Sequence, residues 1–130
     1  MSRGPRPLVF LRDAIPIALQ RGMIHLAERG TELLYDFSIS GTKRKPVAFV
    51  SVKYTERIRA TLEDISLDCD DRIRQLRLIA RDATVSYELW LHSRYGTWRF
   101  FRVTADALVE LGSDGGPLVA AGGTGQEYAT

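Results

Sequence analysis

Residues 45–54, KPVAFVSVKY, and the earlier run 33–39, LLYDFSI, decide how this chain is read. In a strand, side chains two apart share a face. The later run therefore places Val47, Phe49, Ser51 and Lys53 on one side and Ala48, Val50, Val52 and Tyr54 on the other. In the earlier run Asp36 shares a side with Leu34 and Ser38, while Tyr35, Phe37 and Ile39 point the opposite way. Residues 40–44, which include Gly41, suit a hairpin turn. Paired through it, the two strands bring a carboxylate, a hydroxyl and an amine to one face of an otherwise apolar sheet. Two readings of that cluster stand. In one, Lys53 extends its charge past the strand end, Ser51 is a small polar residue on a half-buried face and Asp36 marks a bend. In the other, Asp36 and position 51 hold a divalent cation, while Lys53 orients a water or steadies the charge growing on a phosphate.

The rest of the chain sets the frame. Its 130 residues, 45% of them hydrophobic, suffice for one compact domain with a single core and are too few for two. The formal net charge of +2 does not announce a nucleic-acid binder, but its distribution is uneven. All 18 Lys and Arg precede Thr104, whereas Asp106, Glu110, Asp114 and Glu127 follow it, so the folded part is more basic than the total. Cys69 is the single cysteine, which excludes an internal disulfide and a cysteine-rich zinc site and points to a reduced, intracellular setting. His25 and His92 are far apart and read as ordinary polar strand residues. With no apolar run approaching the roughly 18 residues of a membrane span and no secretory core at the N-terminus, a cytoplasmic protein without a membrane partner is expected.

Along the chain, residues 1–8 read as a loose arm and residues 13–21 as a helix with Ile15, Ala18 and Leu19 on its apolar stripe. Asp13 is the expected N-cap, which puts Pro16 in the first turn where no intrahelical donor is lost, and Gly22 ends the helix. Residues 23–27 alternate as a short strand. After the strand bearing Ser51 and Lys53, residues 55–68 read as a helix or an ordered connection, and 70–82 as a firmer helix with Ile73, Leu76 and Ala80 on one stripe. Its Arg72, Arg74, Arg77 and Arg81 read as a solvated surface. Residues 85–91 and 97–103 follow as strands around a turn at 94–96, and 105–111 form a last short element. One domain over 1–111 is expected, with a Gly-rich flexible tail over 112–130.

This order of a helix, three antiparallel strands, a helix and two further strands resembles the PD-(D/E)xK nuclease superfamily, and within it the archaeal Holliday junction resolvases and related small endonucleases. ALQRGMIHLA is similar to that group's helix, glycine and first strand, YDFSISG to its acid strand, FVSVKY to its acid-x-Lys strand and GTWRFF to its last strand. The likeness covers residues 10–105 and implies an α/β (α+β) fold with a restriction-endonuclease-like core. It also implies that Asp36 binds metal, that Lys53 is the catalytic lysine and that Asp13 stands where resolvase-like members carry an acid on the first helix. At position 51 the family expects Asp or Glu, and this chain has Ser51. A hydroxyl is a poor substitute for a carboxylate as a ligand of a hard cation. Some restriction enzymes of the superfamily carry Ser-x-Lys and recruit a glutamate from the following helix. Glu63, Asp64 and Asp68 lie in the corresponding region, with Glu32 and Glu56 further possibilities.

The resemblance thus implies Mg²⁺- or Mn²⁺-dependent hydrolysis of DNA, duplex or branched, by a homodimer. The cation would lie on Asp36 with Glu63 or Asp68, and Lys53 would position the attacking water. Lys43, Arg44 and Lys45, with Arg57 and Arg59, would contact backbone phosphates. Two other functions remain open: a catalytically degenerate DNA-binding or repair accessory domain on the same fold, and a structural α/β protein in which Asp36 and Lys53 form an incidental ion pair.

Overall fold

The computed structural model describes residues 11–27, 35–41, 45–80 and 84–118. Helix α1 (Ala14–Leu19) leads into strands β1 (Met23–Leu26), β2 (Phe37–Ser40) and β3 (Val47–Thr55). Helices α2 (Leu62–Asp68) and α3 (Asp70–Ile79) follow, and then strands β4 (Val85–Ser93), β5 (Trp98–Val103) and β6 (Leu108–Leu111). The strands form one mixed sheet in sequential order, and every neighbouring pair is antiparallel except β3 and β4. Those two run parallel from Val47↔Val85 to Thr55↔Ser93. Parallel neighbours cannot be joined by a tight turn and need a crossover, which α2 and α3 supply.

Alternation on the central strands divides the core between the two faces. Ala48, Val50, Val52, Trp90 and Phe100 pack with Leu11, Ala14 and Ala18 of the α1 segment. Leu89, Leu91, Phe101 and Val103 face the other way and pack with Ile65, Cys69, Ile73 and Leu76 of α2 and α3. A strand covered on both sides must be apolar nearly throughout. In β4 every residue from Ser86 to Leu91 is accordingly buried.

Several boundaries differ from the sequence expectation for identifiable reasons. Asp13 does not cap α1: its backbone is already helical (φ −80°, ψ −18°) and its side chain makes no capping bond. The stretch 55–68 holds a true helix only from Leu62, where the Thr61 hydroxyl accepts the Asp64 N–H at 3.1 Å. Cys69 (φ −112°, ψ 24°) then separates α2 from α3, so the crossover is two short helices instead of one. After the crossover there are three strands, β4, β5 and β6, the last of them the short element expected over 105–111.

The tail expected from residue 112 begins as an ordered turn. Gly112 donates to the Gly116 carbonyl at 2.8 Å, Leu118 donates to Glu110 at 3.0 Å and Pro117 bridges Leu111. Gly115 supplies the positive φ of 88° that this turn requires. The expectations for residues 1–8 and 119–130 lie outside the described residues.

Gly22 does more than end α1. A β-carbon there would collide with the backbone carbonyl of Ser40, which pairs with Met23 across β1 and β2. Gly22→Ala should therefore cost about 1–3 kcal/mol by overpacking a rigid backbone contact, seen as a lower urea midpoint with an unchanged slope.

Candidate functional site

The site grows from an irregularity where β2 meets β3. The Asp36 N–H donates to the Val50 carbonyl at 2.7 Å, and Phe37 is also partnered with Val50. Two residues against one make a β-bulge, which resets the alternation of everything before it. Tyr35 therefore meets Phe49 at a tilt with ring centroids 4.7 Å apart, on the α2–α3 side, while Phe37 meets Trp90 edge-on at 5.6 Å on the α1 side. Strict alternation had put Tyr35 and Phe37 on one face. The bulge separates them and delivers Asp36 to the ladder itself.

There Asp36 replaces a strand. Pairing between β2 and β3 ends at Phe37↔Val50, but β3 runs on to Thr55. Val52, two residues past Val50, points its N–H and C=O toward the same side, where β2 has stopped. The Asp36 Oδ2 accepts the Val52 N–H at 2.7 Å. The Val52 carbonyl accepts from Arg72 Nη1 at 2.9 Å, and the same nitrogen donates to the Ser51 hydroxyl at 2.9 Å. An acid from the bulge and a guanidinium from α3 thus bracket one residue of β3. Asp36 is 4% exposed and Ser51 3%, so both contacts are made out of water.

Lys53 completes the cluster. It shares the α2–α3 face with Ser51, and its ammonium donates to the carbonyl of Asp68, the last residue of α2, at 3.0 Å. Cys69 lies beside these cations. Burial pushes its thiol up, against the opposing pull of Lys53 and Arg72. Cys69 is therefore expected to react only slowly with a chromogenic disulfide reagent at neutral pH until denaturant is added, and fast labelling of the folded protein would contradict this placement.

The other sequence candidates are dispersed. Glu63, in the first turn of α2, lines a cleft of about 620 Å³ together with Arg99, Glu110 and Leu118. Asp68 presents its carbonyl to Lys53, and Glu56 pairs with Arg94 at 2.8 Å. Asp13 is exposed at the start of α1, across the sheet from Arg72. Arg57 and Arg59 are exposed in the loop after β3, and Lys45 precedes that strand. Lys43, Arg44 and Glu32 lie outside the described residues. Among the described residues no group of three or more His, Cys, Asp or Glu could hold a metal ion. The described groups around Val52 are one carboxylate, one hydroxyl and two cations, a donor set that by itself does not fit the all-oxygen shell Mg²⁺ or Mn²⁺ prefers.

No family model, curated protein or solved structure matches the chain. Function therefore has to be argued from the site. Among the described residues no helix is long and apolar enough to cross a membrane.

A second polar cluster, on the α1 side, was not singled out from the sequence. Glu88 is fully buried in β4 and takes four hydrogen bonds. Its Oε1 accepts from Arg21 Nη1 at 2.8 Å and Trp90 Nε1 at 2.9 Å, and its Oε2 accepts from Arg21 Nη2 at 2.8 Å and Ser86 Oγ at 2.6 Å. Arg102 Nε donates to the same Ser86 hydroxyl at 2.9 Å. Burial alone would raise the Glu88 carboxyl, but the bonds and charge of Arg21, aided by Ser86 and Trp90, hold it below the usual range. The sequence signal was the alternation Ser86, Glu88, Trp90 within an otherwise apolar strand. A carboxylate at such a position needs a buried cation. Arg72 was missed because a charged residue on a helix is ordinarily solvated.

Proposed function

We propose that the end of β3 binds the phosphate backbone of DNA without cutting it, on a framework of the restriction-endonuclease kind. The element order, with three antiparallel strands, a helical crossover and a parallel fourth strand, supports that framework. The carboxylate beside β3 and the lysine two residues past position 51 support it too. The observation that carries the non-hydrolytic reading is Arg72 on Ser51. Where the resemblance leads one to expect a second metal-binding carboxylate, this chain has a hydroxyl held by a guanidinium. A cluster of one carboxylate with a fixed guanidinium and an ammonium favours an anion over a dication, and phosphate oxygens are the anionic groups such a pair of cations recognises best. The exposed Arg57 and Arg59 in the next loop would extend the attraction along the strand.

The test is to incubate the purified protein with labelled linear duplex, single-stranded and four-way DNA in Mg²⁺ or Mn²⁺, and to follow retention and cleavage together. Retarded but intact DNA, with affinity falling as salt rises, is the expected result. Metal-dependent cleavage that disappears in Asp36→Asn would replace this reading by the hydrolytic one. Absence of binding to all three DNAs would leave Asp36, Ser51, Lys53 and Arg72 as structural polar contacts.

A further inference from the structure

The α1 face of the sheet carries a row of aromatic rings at the same strand ends. In register, Val52, Trp90 and Phe100 form a buried row across β3, β4 and β5. The next row outward is Tyr54, His92 and Trp98. Tyr54 is 52% exposed, and His92 and Trp98 are partly exposed. His92 and Trp98 stack at 4.0 Å with 5° between their planes, and Trp98 lies within 2° of parallel to Phe100 at 5.9 Å. Tyr54 meets His92 edge-on at 5.7 Å. Three rings on three adjacent strands, held by one another and by the sheet, lose little freedom when a flat partner is added.

The surrounding charge identifies that partner. Arg57 and Arg59 follow Tyr54 in the loop after β3, and Arg94 follows His92 in the turn after β4. Arg94 lies 5.8 Å over the ring of Tyr95, itself 70% exposed, and pairs with Glu56 while more than half exposed. Aromatic surface interleaved with cations suits a ligand that is flat, apolar on its faces and anionic along its length. A second copy of this basic surface would be repelled, and a neutral sugar would leave the arginines without a role. Lys53 precedes Tyr54 in β3 and points to the opposite face, so the phosphate site and the rings lie on either side of the same strand end.

We infer that Tyr54, His92 and Trp98 are a stacking platform for unpaired bases, so that the substrate class is single-stranded DNA or the unpaired region of a branched one. This rests on the phosphate-binding reading above, and the experiment separates the two. An oligothymidylate of about twelve nucleotides is compared with an abasic oligomer of the same length and charge. The wild-type protein should bind the thymidylate at least about tenfold more tightly, with quenching of tryptophan emission. Trp98→Phe should remove the quenching, because the other tryptophan, Trp90, is buried. Tyr54→Ala, at an exposed position that should not endanger folding, should weaken thymidylate binding about fivefold or more and leave abasic binding unchanged. Equal affinities in the wild type, or a thymidylate affinity that Tyr54→Ala leaves unchanged, would overturn the platform while leaving the phosphate site standing. Failure to bind either oligomer would overturn both. A wild-type dimer that Tyr54→Ala converts to monomer would show that the rings face a second copy and would also overturn the platform.

Discussion

Glu88→Ala is expected to lower folding stability by about 3–5 kcal/mol, measured by urea or thermal denaturation. The carboxylate is fully buried, and the Arg21 side chain paired with it is only 4% exposed. Truncating Glu88 leaves a guanidinium out of water with no counter-charge, removes both acceptors of its fork and strips the Trp90 indole and the Ser86 hydroxyl of their partner. Replacing both charges, as in Arg21→Met with Glu88→Leu, should recover much of the loss, because the penalty lies in the orphaned charge more than in the missing attraction. The pair also fixes a pH response. The carboxyl is held below its ordinary value in the folded chain. Its contribution to stability is therefore complete above the ordinary glutamate range and is lost as pH falls below that range toward the lowered folded value. The acid limb of the stability profile should flatten in the double variant. An unchanged acid limb would contradict this assignment.

Asp36→Ala should cost about 1–3 kcal/mol, because the Val52 N–H loses its acceptor where water does not reach. Asp36→Asn keeps an oxygen for that N–H and should cost less. The same pair of variants reports on function. If the cluster binds phosphate, removing the negative charge leaves Lys53 and Arg72 less opposed, and Asp36→Asn should hold DNA at least as tightly as the wild type. If the cluster instead held a divalent cation, this substitution would abolish metal-dependent turnover. The two roles of Asp36 thus separate into a denaturation midpoint and a binding constant.

Much of the architecture could be read from periodicity. The alternation of residues 47–54, the apolar run in β4 and the Ile73, Leu76 stripe each appear in the structure as the expected strand or helix. What escaped were features that do not repeat. A bulge adds one residue and leaves no periodic trace, so the faces of Tyr35 and Phe37 could not both be right under strict alternation. The stretch 55–68 stays open between helix and connection because its apolar residues are sparse, and only Leu62–Asp68 is helical. The turn at Gly112 to Pro117 resembles linker composition because the glycine that permits a positive φ is the residue that also enriches flexible segments. At the site, Lys53 and Ser51 follow from a two-residue spacing on one strand. Arg72 is 21 residues from Ser51, and its reach across the crossover depends on how α3 is laid over β3. Arg21 and Glu88, 67 residues apart, meet only because α1 covers β4.

If Lys53 and Arg72 meet phosphate, binding must weaken with salt in proportion to those contacts. The logarithm of affinity for single-stranded DNA should fall linearly with the logarithm of salt concentration. Each phosphate contact contributes a slope of about 0.7 in magnitude. Lys53→Ala and Arg72→Ala, checked by thermal melting to be folded, should each weaken binding and together make the slope shallower by roughly the value of two contacts. A folded double variant with the wild-type slope and the wild-type affinity would contradict both contacts.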